Sequence, residues 1–155
     1  MKNLLLVFIF SNIMFACKEP SRTTTSVNTD SIIPTPGNDP SVQGLIAYRW
    51  KLNELSGKKI DSVNSQEPFI LFNAADSSIN GRMGCNRFGG KYATSGTLIR
   101  FSHLYSTKMA CQDMWAETTF LGMIDSITEF RITEKQLHLI RNGESVASFE
   151  GMPLL

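Results

Sequence analysis

The sequence predicts a mainly β fold with one α-helix: a small antiparallel sheet curled into a partly open barrel, with the helix covering or plugging the opening. Three observations predict it. Short apolar runs of strand length recur from residue 50 onward between Gly, Ser and Asn turn signals, one stretch alone repeats its apolar residues at helical spacing, and an Asn-Gly pair separates two alternating segments.

Trp50, Leu52 and Leu55 begin an apolar alternation that ends at Ser56-Gly57-Lys58. Pro68-Phe69-Ile70-Leu71-Phe72 is a continuous apolar run of strand length. Residues 80–84 and 91–94 read as strands around a glycine-rich bend, and Ser95-Gly96 turns into Thr97-Leu98-Ile99-Arg100-Phe101. Between Asp113 and Ile127, Trp115, Phe120, Ile124 and Ile127 recur at roughly helical spacing; Asp113 can cap the first turn, and Glu117 sits near the positive end of the helix dipole. Strands resume at 129–132 and 136–140. The second joins 145–149 through Arg141-Asn142-Gly143-Glu144, whose Asn-Gly supplies the two positive-φ residues of a tight hairpin turn.

A chain of 155 residues with 42% hydrophobic residues is one domain's worth with material for a core, which excludes wholesale disorder. The formal charge of +1, from 15 basic and 14 acidic residues, leaves no electrostatic footprint for a polyanion, so nucleic acid is not an expected partner.

The first 16 residues read as an export signal: a lysine at position 2, an apolar run at 4–10 too short to span a bilayer, and small Ala16 before a cleavage point. The segment Met14-Phe15-Ala16-Cys17 resembles the lipobox of bacterial lipoproteins, departing from it at positions 14 and 15, where Leu and a small residue are commoner. That resemblance implies transfer of diacylglycerol to the Cys17 thiol and of a further, palmitate-type chain to its new amino terminus, hence a firm membrane anchor. Residues 17–43 are then the lipidated cysteine and a disordered tether rich in Ser, Thr, Pro, Asn, Asp and Gly, and residues 44–155 are the folded domain. Lys18 rather than Asp follows the cysteine, which favours the outer membrane, facing the periplasm or the surface.

Chemistry-bearing patterns are sparse. The segment from Gly81 to Tyr92 nearly mimics a phosphate-binding loop, but Gly90-Lys91-Tyr92 enters a strand where that motif needs a helix, so its glycines are expected to permit a tight bend with Arg87 or Lys91 facing solvent. His103 and His138 have no histidine or cysteine at a metal-ligand spacing, and no metal or cofactor is expected. His138 is out of phase with Leu137 and Leu139, which points it to solvent. His103 with Ser102, Ser106 and Asp113 could be imagined as a hydrolase triad, but no nucleophile elbow accompanies them; catalytic residues are expected to be none. Cys85 and Cys111 lack redox spacing. In an oxidising envelope they most simply form a disulfide, the alternative being two buried free thiols.

Gly84-Cys85-Asn86-Arg87-Phe88-Gly89-Gly90-Lys91-Tyr92, followed by Ser106-Thr107-Lys108-Met109-Ala110-Cys111, resembles the META domain (HslJ-like, DUF306) family, with Trp50-Lys51-Leu52 matching its opening. The resemblance implies a small β-barrel-like domain with a helix, a structural Cys85–Cys111 pair, a heat-shock-associated envelope lipoprotein, and no established catalytic residues. Asn86, Arg87 and Phe88 occupy the family's signature bend and are candidate binding residues. Two functions fit: a membrane-anchored, non-catalytic module that binds an envelope protein or supports the envelope under stress, or a carrier or sensor of a hydrophobic ligand or lipid in the barrel. A cavity inside the barrel would favour the carrier, and a core filled by Trp50, Phe69, Leu71 and Trp115 would count against it.

Overall fold

The computed structural model describes residues 40–154; the export signal, the lipidated Cys17 and the tether expected from sequence lie, up to residue 39, outside the described residues. Helix α1 (Pro40–Ile46) leads into strands β1 (Arg49–Leu55), β2 (Lys58–Lys59), β3 (Phe69–Asn73), β4 (Ser78–Arg82), β5 (Arg87–Ser95) and β6 (Leu98–Ser106). Helix α2 (Trp115–Met123), a 3₁₀ turn (Ile124–Ser126) and strands β7 (Glu129–Thr133), β8 (Gln136–Arg141) and β9 (Glu144–Met152) follow.

Each of β3 to β8 pairs antiparallel with the next, β1 pairs with β3, and β9 returns to pair with β1 along most of its length. Eight strands therefore close a barrel, and the two-residue β2 is a flap on the end of β1. One seam is thin. β6 meets β7 at the single pair Leu98↔Glu129, supported by the Ile99 and Phe130 amides, which donate to the Thr128 and Thr97 carbonyls at 3.0 and 2.9 Å. The segment connecting these two strands carries α2, so the helix enters where the barrel is weakest; the barrel nevertheless closes, where the sequence suggested a partly open one, because β9 pairs with β1 and the short β6–β7 contact completes the ring. Register shifts in β1, in β9 opposite β8 and at the β5–β6 pairing bend the strands enough for so small a sheet to close.

The Asn-Gly turn forms as the sequence predicts, with φ of 53° at Asn142 and 80° at Gly143 joining β8 to β9. In α2 the buried stripe is Ala116, Glu117, Phe120 and Met123, continued by Ile124 and Ile127. Asp113 Oδ1 accepts the Trp115 amide at 2.9 Å, satisfying a donor of the first turn. Phe120 reaches the barrel axis, its ring centroid 5.6 Å from Phe88 and 6.2 Å from Phe149. With Trp50, Ile70, Ile79, Met83 and Leu137 almost wholly buried around it, the interior is occupied by side chains.

Several expectations change. Residues 40–43, placed in the tether by sequence, belong to α1, because Val42 and Leu45 are buried and the Leu45 carbonyl accepts the Trp50 indole N–H at 2.7 Å. Phe69 and Leu71 do not fill the interior; β3 alternates Ile70 and Phe72 inward and leaves those two half-buried on the outer face, where the Arg49 guanidinium lies 4.1 Å from the Phe69 ring centroid. Trp115 is also exposed, under the Lys58 ammonium at 4.4 Å. The bend expected between strands at 80–84 and 91–94 is shorter: only residues 83–86 turn, and Gly89 and Gly90 lie within β5. These glycines make room for β6. A Cβ on Gly90 would lie 2.8 Å from Leu104 Cδ2 and 2.9 Å from the Ser102 carbonyl oxygen.

Candidate functional site

Asn86, Arg87 and Phe88 stand at the start of β5, and the structure separates their roles. Phe88 is buried against Phe120. Arg87 is exposed. Asn86 is 1% exposed and its side chain is wholly engaged with one loop: Oδ1 accepts the Thr107 hydroxyl and the Met109 amide, both at 2.7 Å, and Nδ2 donates to the Met109 carbonyl at 3.0 Å. Its backbone amide donates to Glu117 Oε2 at 3.0 Å, which gives that buried carboxylate a partner on the wall of the barrel. Asn86 thus ties the bend, the 107–109 loop and α2 together, and at 1% exposure its side-chain amide is closed to a ligand. Of the three candidate binding residues, only Arg87 offers its side chain to solvent.

Cys85 and Cys111 form a disulfide across the same junction, with Cα atoms 6.3 Å apart. Asn64 adds a third tie, its Nδ2 donating to the Asp113 carbonyl at 2.7 Å and its Oδ1 accepting the Asp113 amide at 3.2 Å. The loop so held presents Lys108, Met109 and Ala110 to solvent, Met109 being 56% exposed. Replacing Asn86 with alanine strands the amide and carbonyl of Met109 and is expected to cost about 2–3 kcal/mol, measured by urea unfolding. Asn86→Asp should be no milder, since it keeps the acceptor but turns an oxygen toward the Met109 carbonyl.

The imagined triad is not assembled. His103 Nδ1 lies 3.1 Å from the neighbouring Ser102 hydroxyl, and the Asp113 carboxylate is engaged with the Trp115 amide. His138 projects outward as its phase predicts but is half-buried, with Nδ1 3.2 Å from the Ser145 hydroxyl. Among the described residues no cluster of three or more His, Cys, Asp or Glu could hold a metal, and no helix is long and apolar enough to cross a membrane.

Sequence reasoning missed the outer face of β3–β6. Register places Leu71, Asn80, Gly89 and Tyr105 in one outward row, with Ser78 and Lys91 in the next. Beside Tyr105, β6 bulges: Lys91 pairs with Ser102 and Gly89 with Tyr105, so His103 and Leu104 face the single residue Gly90, and His103 takes a φ of 52°. Lys91 Nζ donates to the Asp76 carbonyl at 2.7 Å and lies 3.4 Å from its carboxylate. The Ser78 hydroxyl bond above all, helped by the Lys91 ammonium and the Ser78 amide, holds the Asp76 carboxyl below the usual carboxylate range against the opposing effect of desolvation. A depression of about 290 Å³ opens here, bordered by Asp76, Ser78, Asn80, Lys91, His103 and Tyr105.

Two solved structures share this architecture. An NMR structure 25% identical in sequence superposes with a TM-score of 0.58, covering 70% of this chain and 92% of its own. A second, of a protein from Burkholderia xenovorans, is 20% identical with a TM-score of 0.58, covering 81% of this chain and 96% of its own. A crystal structure of a DUF4847 family protein from Bacteroides vulgatus is 14% identical with a TM-score of 0.49, covering 72% and 96%. No curated protein matches the sequence. The family model of the META domain matches residues 43–152, a span that runs from within α1 to the end of β9 and includes the Asn86 junction and the disulfide, and the chain therefore belongs to the META domain family.

Proposed function

We propose that this protein is an envelope lipoprotein, anchored in the outer membrane through acyl chains on Cys17, whose META domain is a non-catalytic module that binds a partner protein or supports the envelope under stress. The observation that carries the reading is the filled barrel: Trp50, Phe120 and Phe149 are fully buried in the core, so recognition falls to the outer surface rather than to an internal cavity. The sequence from residue 14 to residue 17 supports the anchor, and the META domain is not a known family of enzymes. The same filled interior weighs against a carrier of a hydrophobic ligand inside the barrel.

Two measurements test this. Cells fed a radioactive fatty acid should label the wild type and fractionate it with membranes, whereas Cys17→Ala should lose the label and leave the membrane fraction; persistent labelling in the variant would remove the anchor. Native mass spectrometry of the purified protein should give the mass of the chain and its covalent acyl groups alone. A retained noncovalent lipid that survives delipidating washes would favour the carrier instead.

A further inference from the structure

Tyr105 is 70% exposed, yet it is not a loose surface side chain. It stands opposite Gly89 in the β5–β6 ladder, and a Cβ on that glycine would lie 2.5 Å from Tyr105 Cζ and 3.0 Å from Cε1, with Oη about as near as Cζ. An approach within the ring plane, equally close to Oη and Cζ, would bring a Cε atom nearer than either. Here Cε1 is the farthest of the three, so the ring lies flat over the glycine with one face on the sheet and the other turned to water. The missing side chain at position 89 is what allows this: any larger residue would lift the ring off the strand. The result is a planar aromatic platform whose orientation is set before a ligand arrives, which reduces the ordering cost of binding.

Around the platform the chemistry is polar. Asn80 offers an amide donor and acceptor, Asp76 a carboxylate, Lys91 an ammonium and His103 an imidazole that can donate or accept, all bordering the depression into which Tyr105 leans. Arg87 stands two residues before Gly89 on the same face of β5. An apolar peptide would need apolar neighbours here and finds few. A pyranose ring instead pairs a flat C–H face, suited to the electron-rich face of an aromatic ring, with an equatorial rim of hydroxyls that both donate and accept. We propose that this face of β4–β6 is a saccharide-binding site, in which a sugar ring stacks on Tyr105 and its hydroxyls are read by Asn80, Asp76, Lys91 and His103. The site adds a ligand class to the outer surface and does not depend on acylation of Cys17.

The test is titration of the purified protein, observed by NMR and calorimetry, with chitotetraose, cellotetraose and maltotetraose, alongside co-sedimentation with isolated peptidoglycan. Binding with a Kd of about 1 mM or tighter to at least one of these is expected, with amide shifts centred on residues 89 and 105. Tyr105→Phe should keep it, because the stacking face survives. Tyr105→Ala should weaken it by at least about tenfold with the thermal midpoint unchanged, while Trp115→Ala, which removes an exposed aromatic elsewhere, should leave it intact. Absence of binding to all four probes, or binding that survives Tyr105→Ala, or binding lost in Trp115→Ala, would overturn the proposal.

Discussion

Phe120→Ala is expected to destabilise the domain by about 3–5 kcal/mol, at the upper end of what a single core truncation costs. Phe120 is fully buried and is the residue by which α2 reaches the barrel axis, touching Phe88 on β5 and Phe149 on β9 at once. Removing the ring empties space among side chains that belong to strands on different sides of the barrel. Closed antiparallel ladders on those strands resist collapse, so most of the cavity should persist. Trp115, five residues earlier and larger, provides the comparison. It is exposed beneath Lys58, and Trp115→Ala should cost no more than about 1 kcal/mol. Urea unfolding of the two variants measures both. Equal costs would mean that α2 presents a different face to the barrel from the one described.

That contrast also marks what could be read from sequence. Helical spacing found α2 but could not choose between Trp115 and its neighbours as the inward residue, since a stripe of apolar residues wider than the buried face leaves its phase open. The same ambiguity hid the outward direction of Phe69 and Leu71, because a run without alternation carries no phase. Where the signal was local, it was reliable: the Asn142-Gly143 turn needs two positive-φ residues in succession, and few pairs supply them. Helix α1 carried little such signal; its seven residues are held by burial of Val42 and Leu45 and by a hydrogen bond from Trp50, which only the fold provides.

The site divides in the same way. Cys85, Cys111 and Asn86 were visible as a pattern, but the work of Asn86 depends on Thr107, Met109 and Glu117, more than twenty residues away. The Tyr105 platform was invisible, because Gly89 looks like any glycine of a bend until the ladder sets Tyr105 above it. A glycine in mid-strand beneath an aromatic residue of the next strand is the signal to seek, and it needs the register first.

Breaking the Cys85–Cys111 bond is expected to lower stability by about 3–4 kcal/mol, the chain-entropy value for a loop of this length, whether by reduction or by Cys85→Ser with Cys111→Ser. The bond closes a loop containing the whole β5–β6 hairpin and ends at the entrance to α2. Urea unfolding with and without reductant gives the cost, and a change of less than about 1 kcal/mol would show that the unfolded chain gains little freedom from its loss. The more discriminating measurement combines the loss of the disulfide with Asn86→Ala. Both devices hold residues 107–111 against the bend at 83–86, one covalently and the other through three hydrogen bonds. If the loop comes away when either is removed, the second has less left to hold, so the combined cost should fall short of the sum by about 0.5–3 kcal/mol. Strict additivity would instead mean that each anchors a separate segment, Asn86 the carbonyl and amide of Met109 and the disulfide the approach to α2. In that case the exposed Met109 loop could loosen while α2 stayed seated, and hydrogen exchange at the Met109 amide in the reduced protein would separate the two arrangements.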